Sequence, residues 1–277
     1  MKRFSTILII LILTSSCHSQ KTYFEDGIIK TKGKTVENKK QGKWKYFYEN
    51  GNLKIEAEYL DDIPNGEWKF YYKNGNIKEV GFYTKENWTS FMERMRKSGS
   101  KNPEEHYLNK TGEWKEFYEN GKLKKIGKYT TNGTQFGEWI EYYENETIKK
   151  IYFFQNNGQI TGDWKEYYNN GNLKKFRDTI TGEWREYYEN GNIKNSGIFP
   201  LNGLPTGEWN YYHNNGKLYQ TQILSNGLRM EIVNCFDGNG NILDKGTLKN
   251  GNGTIKRYNI DGELIETLKF SNGRIEE

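Results

Sequence analysis

Six carboxylates stand directly before tryptophans: Glu67, Glu113, Glu138, Asp163, Glu183 and Glu208. A row of acids at regular spacing is the one arrangement here that invites a metal-binding reading. Equally regular lysines stand beside them, which favours a solvated, charge-balanced edge instead. The histidines, His18, His106 and His213, are far apart in sequence and form no ligand set by spacing. No HExxH, Cys-x-x-Cys, Walker-type loop or nucleophile elbow is present. The many Asn-Gly pairs are turn residues rather than phosphate cradles. No catalytic residue, metal site or cofactor is expected, and the chain is not read as an enzyme.

What recurs is aromatic. Gly182-Glu-Trp184-Arg-Glu-Tyr187-Tyr188-Glu-Asn190-Gly191-Asn-Ile193-Lys194 is one copy of a unit whose tryptophans are Trp44, Trp68, Trp114, Trp139, Trp164, Trp184 and Trp209. Their spacings are 24, 46, 25, 25, 20 and 25 residues, so one gap is two periods long. A period in this range marks an array in which each unit buries its face against its neighbours. Function is then expected on a repeated surface rather than in a cleft.

The composition alone resembles that of a disordered chain, with 34% apolar residues and a mean hydropathy of −0.99. An aromatic content of 16% argues for folding, because these residues recur in register. The formal charge is +5, and two of the 41 basic residues, Lys2 and Arg3, lie in a leader. The remainder is close to balance and gives no reason to expect nucleic acid.

That leader pairs Lys2 and Arg3 with the apolar stretch Phe4 to Leu13, too short to span a bilayer and suited to a signal peptide over residues 1–16. It ends in Thr14-Ser15-Ser16-Cys17, which resembles a bacterial lipoprotein processing site, with Thr14 where an aliphatic residue is usual. Lipidation of Cys17 is favoured over an ordinary secretory signal with an incidental cysteine. The expected product is exported and lipid-anchored to the bacterial cell envelope, at the outer membrane, through a tether at 17–25. Only Cys235 would then remain, excluding an intramolecular disulfide, and it reads as a small apolar filler.

Taking each repeat tryptophan as position 0, Asn-Gly falls at positions 6 and 7 in six of seven copies. That predicts two-residue type I′ hairpins. The fourth copy has Asn145-Glu146 instead, which predicts strain or a wider loop. A two-residue loop would set position 4 opposite 9, 3 opposite 10, 2 opposite 11 and the tryptophan opposite 13. The residues support this: Glu116, Glu141 and Glu166 at position 2 find Lys125, Lys150 and Lys175 at position 11. Tryptophan would face Ala57, Gly81, Gly127 or Gly197 in four copies, and the position-3 aromatics would face lysines suited to cation–π stacking. His213 replaces the usual tyrosine of position 4 and reads as a drifted structural residue.

The fold class is therefore all-β: an elongated, single-layer antiparallel sheet of tandem hairpins over residues 26–277, of about 16–20 strands at 4.7–4.9 Å spacing. Aromatics on both faces predict no separate hydrophobic core. Terminal half-units at Asp26-Gly27, Asn239-Gly240, Asp261-Gly262 and Asn272-Gly273 would cap the array. An insertion at about 84–108 breaks the period. Ser90-Phe91-Met92-Glu93 has capping-box spacing, so a helix and a loop on a degenerate repeat both stand open there. Its Trp88, Phe91, Met92, Arg94, Met95 and Arg96 are the candidate recognition surface, since aromatic, Met and Arg side chains are enriched at interfaces.

The pattern Gly-x-Trp-x-x-aromatic-Tyr-x-Asn-Gly-x-Leu/Ile-Lys resembles the MORN-repeat-variant family of bacterial proteins over residues 26 to 277, apart from the insertion. The resemblance implies successive β-hairpins in an elongated sheet and a binding or scaffolding role. Some relatives are catalogued as antitoxins, which implies an antitoxin or immunity-type alternative. The favoured expectation is a non-catalytic envelope protein that binds another protein through its sheet. Gly-x-Trp with adjacent tyrosines also resembles, in part, choline-binding and other wall-binding repeats, which makes a cell-wall glycan the alternative partner.

Overall fold

The computed structural model describes residues 17–84, 110–201 and 203–276. Their regular structure is β throughout, in twenty strands. Strands β1–β17 belong to one 17-stranded antiparallel sheet and β18–β20 to a separate three-stranded sheet. Residues 85–109, which take in all but the first residue of the insertion expected at about 84–108, lie outside the described residues, and with them Trp88, Phe91, Met92, Arg94, Met95, Arg96 and His106.

Two compact units are distinguished. The first runs through Trp114 and includes Glu119–Gly121 and Thr131–Gly133. It contains β1 (Cys17–Tyr23), β2 (Ile29–Val36), β3 (Lys39–Phe47), β4 (Leu53–Leu60), β5 (Ile63–Tyr71) and β6 (Ile77–Tyr83), with the start of β7 (Thr111–Phe117). Each of β1–β6 pairs antiparallel with the next. The segment expected as a tether holds β1, which is bonded to β2 from Cys17↔Val36 onward.

The second unit holds Lys115–Tyr118, Lys122–Thr130 and Thr134 onward. Its strands are β8 (Leu123–Tyr129), β9 (Gln135–Tyr142), β10 (Ile148–Phe154), β11 (Ile160–Tyr167), β12 (Leu173–Asp178), β13 (Glu183–Tyr187), β14 (Ile193–Ile198), β15 (Thr206–Tyr212), β16 (Leu218–Ser225) and β17 (Leu228–Cys235). These also pair in chain order. Then come β18 (Gly253–Tyr258), β19 (Leu264–Ser271) and β20 (Arg274–Ile275).

The register agrees with the sequence up to position 2 and departs beyond it. Tyr46 pairs with Ile55 and Trp44 with Ala57, as positions 2–11 and 0–13 require. Glu141↔Lys150 and Glu166↔Lys175 hold likewise. Position 3 then pairs with 9 instead of 10, as in Phe47↔Leu53 and Tyr187↔Ile193.

The cause is the turn. Tyr188 N donates to Asn192 O at 2.8 Å and Gly191 N to Tyr188 O at 2.9 Å. Only the glycine has positive φ, 90° at Gly191. This is a type I turn closed by a left-handed glycine, a three-residue loop, and a second bulge between Glu186 and Tyr187 then leaves position 10 out of the ladder and restores the register expected further along. The asparagine that a type I′ turn would hold at positive φ instead accepts from the backbone two residues on, Asn192 N to Asn190 Oδ1 at 3.1 Å. A type I′ pair does form at Asn272-Gly273, with φ of 50° and 78°.

The ejected lysine has a different partner from the one expected. Lys54, Lys124, Lys149 and Lys174 lie over the position-4 tyrosines Tyr48, Tyr118, Tyr143 and Tyr168 at 5.5–5.8 Å, not over the position-3 rings. Lys174 and Lys194 also reach back to Glu166 and Glu186, so the ion pairs of these acids come from position 10, and Asn195 at position 11 adds a hydrogen bond to Glu186.

Successive hairpins are joined by side chains as well as by backbone. The position-4 hydroxyl donates to the next unit's position-3 carbonyl: Tyr48 to Tyr71, Tyr143 to Tyr167 and Tyr188 to Tyr212, at 2.7–2.8 Å. His213 continues this ladder, its Nε2 3.0 Å from Phe236 O, as its structural reading anticipated. Turn asparagines add a second ladder, for example Asn192 Nδ2 to Asn214 O at 2.8 Å.

The C-terminal end departs from a coreless sheet. Ile232 of β17 packs with Leu248, Ile255 and Phe270 in a buried apolar cluster, with Leu268 against it. The half-unit at Asp26-Gly27 extends the array, joining β1 to β2. Those at Asp261-Gly262 and Asn272-Gly273 do not: they turn between the strands of the second small sheet, which is bonded to β17 through Arg229 N–Gly273 O and Gly251 N–Met230 O. A sheet end without a following repeat exposes its last apolar face, and folding back covers it.

Candidate binding surface

The tryptophan face is built by one steric rule. Trp44, Trp68, Trp114, Trp139 and Trp209 are only 1–5% exposed. Each lies over a small residue on the strand before its own. Four of these are Gly33, Gly81, Gly127 and Gly197, where an added Cβ would stand 2.1–2.4 Å from the indole. The fifth is Ala57, which pairs with Trp68. The ring thus covers the strand on its N-terminal side rather than its own hairpin partner. Trp44 and Trp68 donate Nε1–H to Lys34 O and Glu58 O at 3.0 and 3.1 Å, sealing the contact.

Where the underlying residue is large, the rule fails visibly. The preceding strands pair Arg177 with Trp184 and bring Tyr152, at the bulge after Ile151↔Lys165, next to Trp164 in register. These two tryptophans are only half-buried. They stack on each other instead, with centroids 6.2 Å apart and planes 15° apart. Phe199 lies 5.8 Å from Trp184. The Arg177 guanidinium sits 4.6 Å from the Phe199 centroid and donates to the carbonyls of Phe199 and Pro200. Burial lowers the Arg177 pKa, and its Nε has no partner. This aromatic step with an adjoining cation is the one break in the tryptophan face of the second unit. The spacing of 20 residues between Trp164 and Trp184 was its only signal in the sequence.

On the opposite face of the same unit, Ile151, Phe153, Tyr167 and Ile180 line a shallow groove of about 560 Å³, bordered by Glu138, Asp163 and Lys165. Phe153 is 37% exposed and Ile180 83%. Neither was singled out from the sequence, since a lone apolar residue in a strand carries no mark of which neighbours share its face.

Three of the six carboxylates before the tryptophans are paired with a cation two residues on along their own strands. Glu67 meets Lys69 at 2.8 Å, Asp163 meets Lys165 at 3.1 Å, and Glu183 meets Arg185. Among the described residues, no group of three or more His, Cys, Asp or Glu is placed to hold a metal ion. Cys17 is exposed and Cys235 buried, both as free thiols.

Solved structures with similar stretches include an alternansucrase in complex with isomaltononaose, at 13% identity, 92% coverage of this chain and 18% of that one, with a TM-score of 0.16. The TcdB2-TccC3 structure gives 12%, 94%, 17% and 0.17. A Photorhabdus luminescens Tc holotoxin pore with a mutated TccC3 gives 12%, 93%, 18% and 0.18. The chain spans less than a fifth of each of these proteins, and likenesses at such scores carry no argument. No curated protein matches the chain. A family model does. Described as MORN repeat variant, it matches residues 40–61, 64–85, 110–130, 137–156, 160–175, 180–199 and 205–226, one copy for each repeat tryptophan. With those copies over more than half of its length, the chain belongs to the MORN repeat variant family.

Proposed function

We propose that this is a non-catalytic binding protein of the bacterial cell envelope, exported by residues 1–16, anchored through lipidated Cys17, and engaging a protein partner through the sheet face opposite the tryptophans. MORN-type repeats commonly act as interaction modules, and the observation that carries the reading is how the side chains are divided between the faces. Five of the seven repeat tryptophans, the position-4 tyrosines and the turn asparagines are committed to holding hairpins together. Phe153 and Ile180 face solvent in a groove edged by both signs of charge. An apolar centre with a charged rim is the anatomy of a protein interface. The insertion from Trp88 to His106 adds aromatic, Met and Arg groups that a monotonous array lacks, and so contributes specificity.

The test is a pull-down from membranes with the wild-type chain, a Phe153→Glu/Ile180→Glu variant, and a variant lacking residues 86–105. The expected result is an envelope protein captured by wild type and lost with either change, with circular dichroism unaltered. Equal capture by both folded variants would overturn the reading. For the anchor, Cys17→Ala should release the protein from the membrane fraction and abolish palmitate labelling.

A second reading rests on a different observation. The half-buried Trp164–Trp184 stack offers ring faces to a sugar, and Arg177 beside it suits an acidic one, which favours a cell-wall glycan. Sedimentation with purified peptidoglycan, lost in Trp164→Ala/Trp184→Ala and retained in the groove variant, would establish this reading over the first.

A further inference from the structure

The C-terminal sheet does more than cover β17. Between it and the face of β15–β17 lies a cleft of about 320 Å³, at the small end of the range for ligand pockets. Its floor is apolar, from Ile255, Leu268 and Phe270. Its polar wall is Tyr211, Gln220, Gln222 and Arg229. Tyr211 and Gln220 are register partners on β15 and β16, and Gln220 in turn pairs with Cys235 on β17.

The hydrogen bonding of this wall is one-sided, and the orientation of every group follows from Arg229. A guanidinium only donates. Arg229 Nε lies 3.2 Å from the Gln222 side chain, which must therefore present Oε1. Gln222 Nε2 is then left to donate, and it does so to Gln220 Oε1 at 2.6 Å. Gln220, 2% exposed, is left with its Nε2, which has no partner. Reversing either amide would set donor against donor along the chain.

Cys235 does not relieve the amide. Gln220 and Tyr219 flank its sulfur, and burial pushes the thiol up to about 11. The sulfur is thus neutral at physiological pH and a weak acceptor. The Tyr211 hydroxyl makes no hydrogen bond to the described residues, and burial raises its pKa while the nearby Arg229 charge opposes the rise, so it stays protonated. Arg229 makes no ion pair among the described residues, whereas Arg257, also at the cleft, is neutralised by Glu266 at 2.5 Å.

The acceptors of the cleft are consumed internally, and its donors are left over. Three converge: an amide N–H, a phenol and an unneutralised guanidinium. A buried donor without a partner bears the full cost of its lost hydration, and a charged one bears more. Such a wall above an apolar floor is complementary to one class of ligand.

We propose that the cleft is a binding site for a small organic carboxylate with a short apolar chain or ring. The carboxylate accepts from Arg229, Tyr211 and Gln220 Nε2, and the apolar part lies against Phe270, Leu268 and Ile255. This site is independent of the proposed partner surface and of the Trp164–Trp184 step, so either can fail without the other.

The test uses the mature folded protein in isothermal titration calorimetry and thermal-shift assays, with isovalerate and phenylacetate as probes and their neutral amides as controls. At least one carboxylate should bind with a dissociation constant of about 1 mM or tighter, its amide at least tenfold more weakly. Arg229→Gln should lose at least tenfold, and Tyr211→Phe, which removes one oxygen and no volume, several-fold. Absence of binding by both acids overturns the proposal, as does equal binding of acid and amide. So does undiminished binding in folded Arg229→Gln. If Arg229→Gln does not fold, Tyr211→Phe decides by the same criterion.

Discussion

Gly127 and Trp139 lie on neighbouring strands so close that a Cβ on the glycine would stand 2.1 Å from indole Cδ2. Trp139 is 1% exposed as a consequence. The same relationship recurs at Gly33–Trp44, Gly81–Trp114 and Gly197–Trp209. It sorts the seven repeat tryptophans without exception, because those over a small residue are sealed and those over Tyr152 or Arg177 are not.

Gly127→Ala should therefore destabilise the second unit by about 1–3 kcal/mol, the usual cost of overpacking a close-packed site. Ala57 sets the scale, since Trp68 closes over it and remains only 5% exposed. Urea unfolding followed by tryptophan fluorescence measures the effect. An unchanged midpoint would show that the indole can lift off its glycine freely.

This rule was half legible in the sequence. The pairing of Trp44 with Ala57 and of Trp184 with Gly197 follows from turn and strand period alone, and it holds. What could not be read was that the indole leans over the other neighbouring strand, since period 2 fixes a face but not a direction along the sheet. The turn type failed for a related reason. Asn-Gly suits both a type I′ turn and a type I turn with a glycine bulge, and the asparagine amides that join turn to turn favour the second. The C-terminal units kept their turn residues, so the sequence offered no sign that they fold back as a separate sheet around Ile232 and Phe270. The donor-rich cleft there comes from residues 211 to 229 meeting residues 255 to 270, a juxtaposition that no local pattern encodes.

Glu146 occupies the turn position that is glycine in the other six copies, and the chain tolerates it at a φ of 69°. The turn itself is retained, with Glu146 N donating to Tyr143 O at 2.9 Å. A left-handed conformation costs a residue with a Cβ about 1–2 kcal/mol. Glu146→Gly should stabilise the protein by about 1 kcal/mol, the glycine's extra unfolded-state entropy offsetting part of the relief. The exposed pair with Lys122 that is lost is worth little. A lower urea midpoint for the variant would contradict this.

Glu141 links stability to acid pH. Burial acts to raise its pKa, but the hydrogen bond from Tyr152 and the Lys125 ammonium outweigh it, and the net shift is downward from 4.5. A carboxylate whose folded pKa is depressed contributes stability that is present above its unfolded value and lost as pH falls through the folded one. Wild type should lose stability as pH falls below about 4.5, more steeply than Glu141→Gln, which cannot titrate. Chemical unfolding at a series of pH values between neutrality and pH 3 checks the slopes, and identical slopes would remove Glu141 from the account.

Trp139 and Trp164 hold equivalent places in the repeat and differ in their burial. Trp139 fills a sealed space over Gly127, so Trp139→Ala leaves a cavity that the surrounding backbone cannot close. Trp→Ala at such sites costs about 3–5 kcal/mol. Trp164 is half-buried with the Trp184 ring as its stacking partner, so its removal uncovers half of a stack rather than leaving a void. Trp164→Ala should cost about 1–2 kcal/mol, in keeping with the lost aromatic pair and partial burial. Its cost should remain well below that of Trp139→Ala in the same denaturant series. Quenching by acrylamide gives a second readout, because removing Trp164 takes away an accessible indole and removing Trp139 a protected one. If both variants lose the same stability and the same quenchable fraction, small residues beneath the rings do not govern their burial, and the Trp164–Trp184 step loses its standing as a distinct surface.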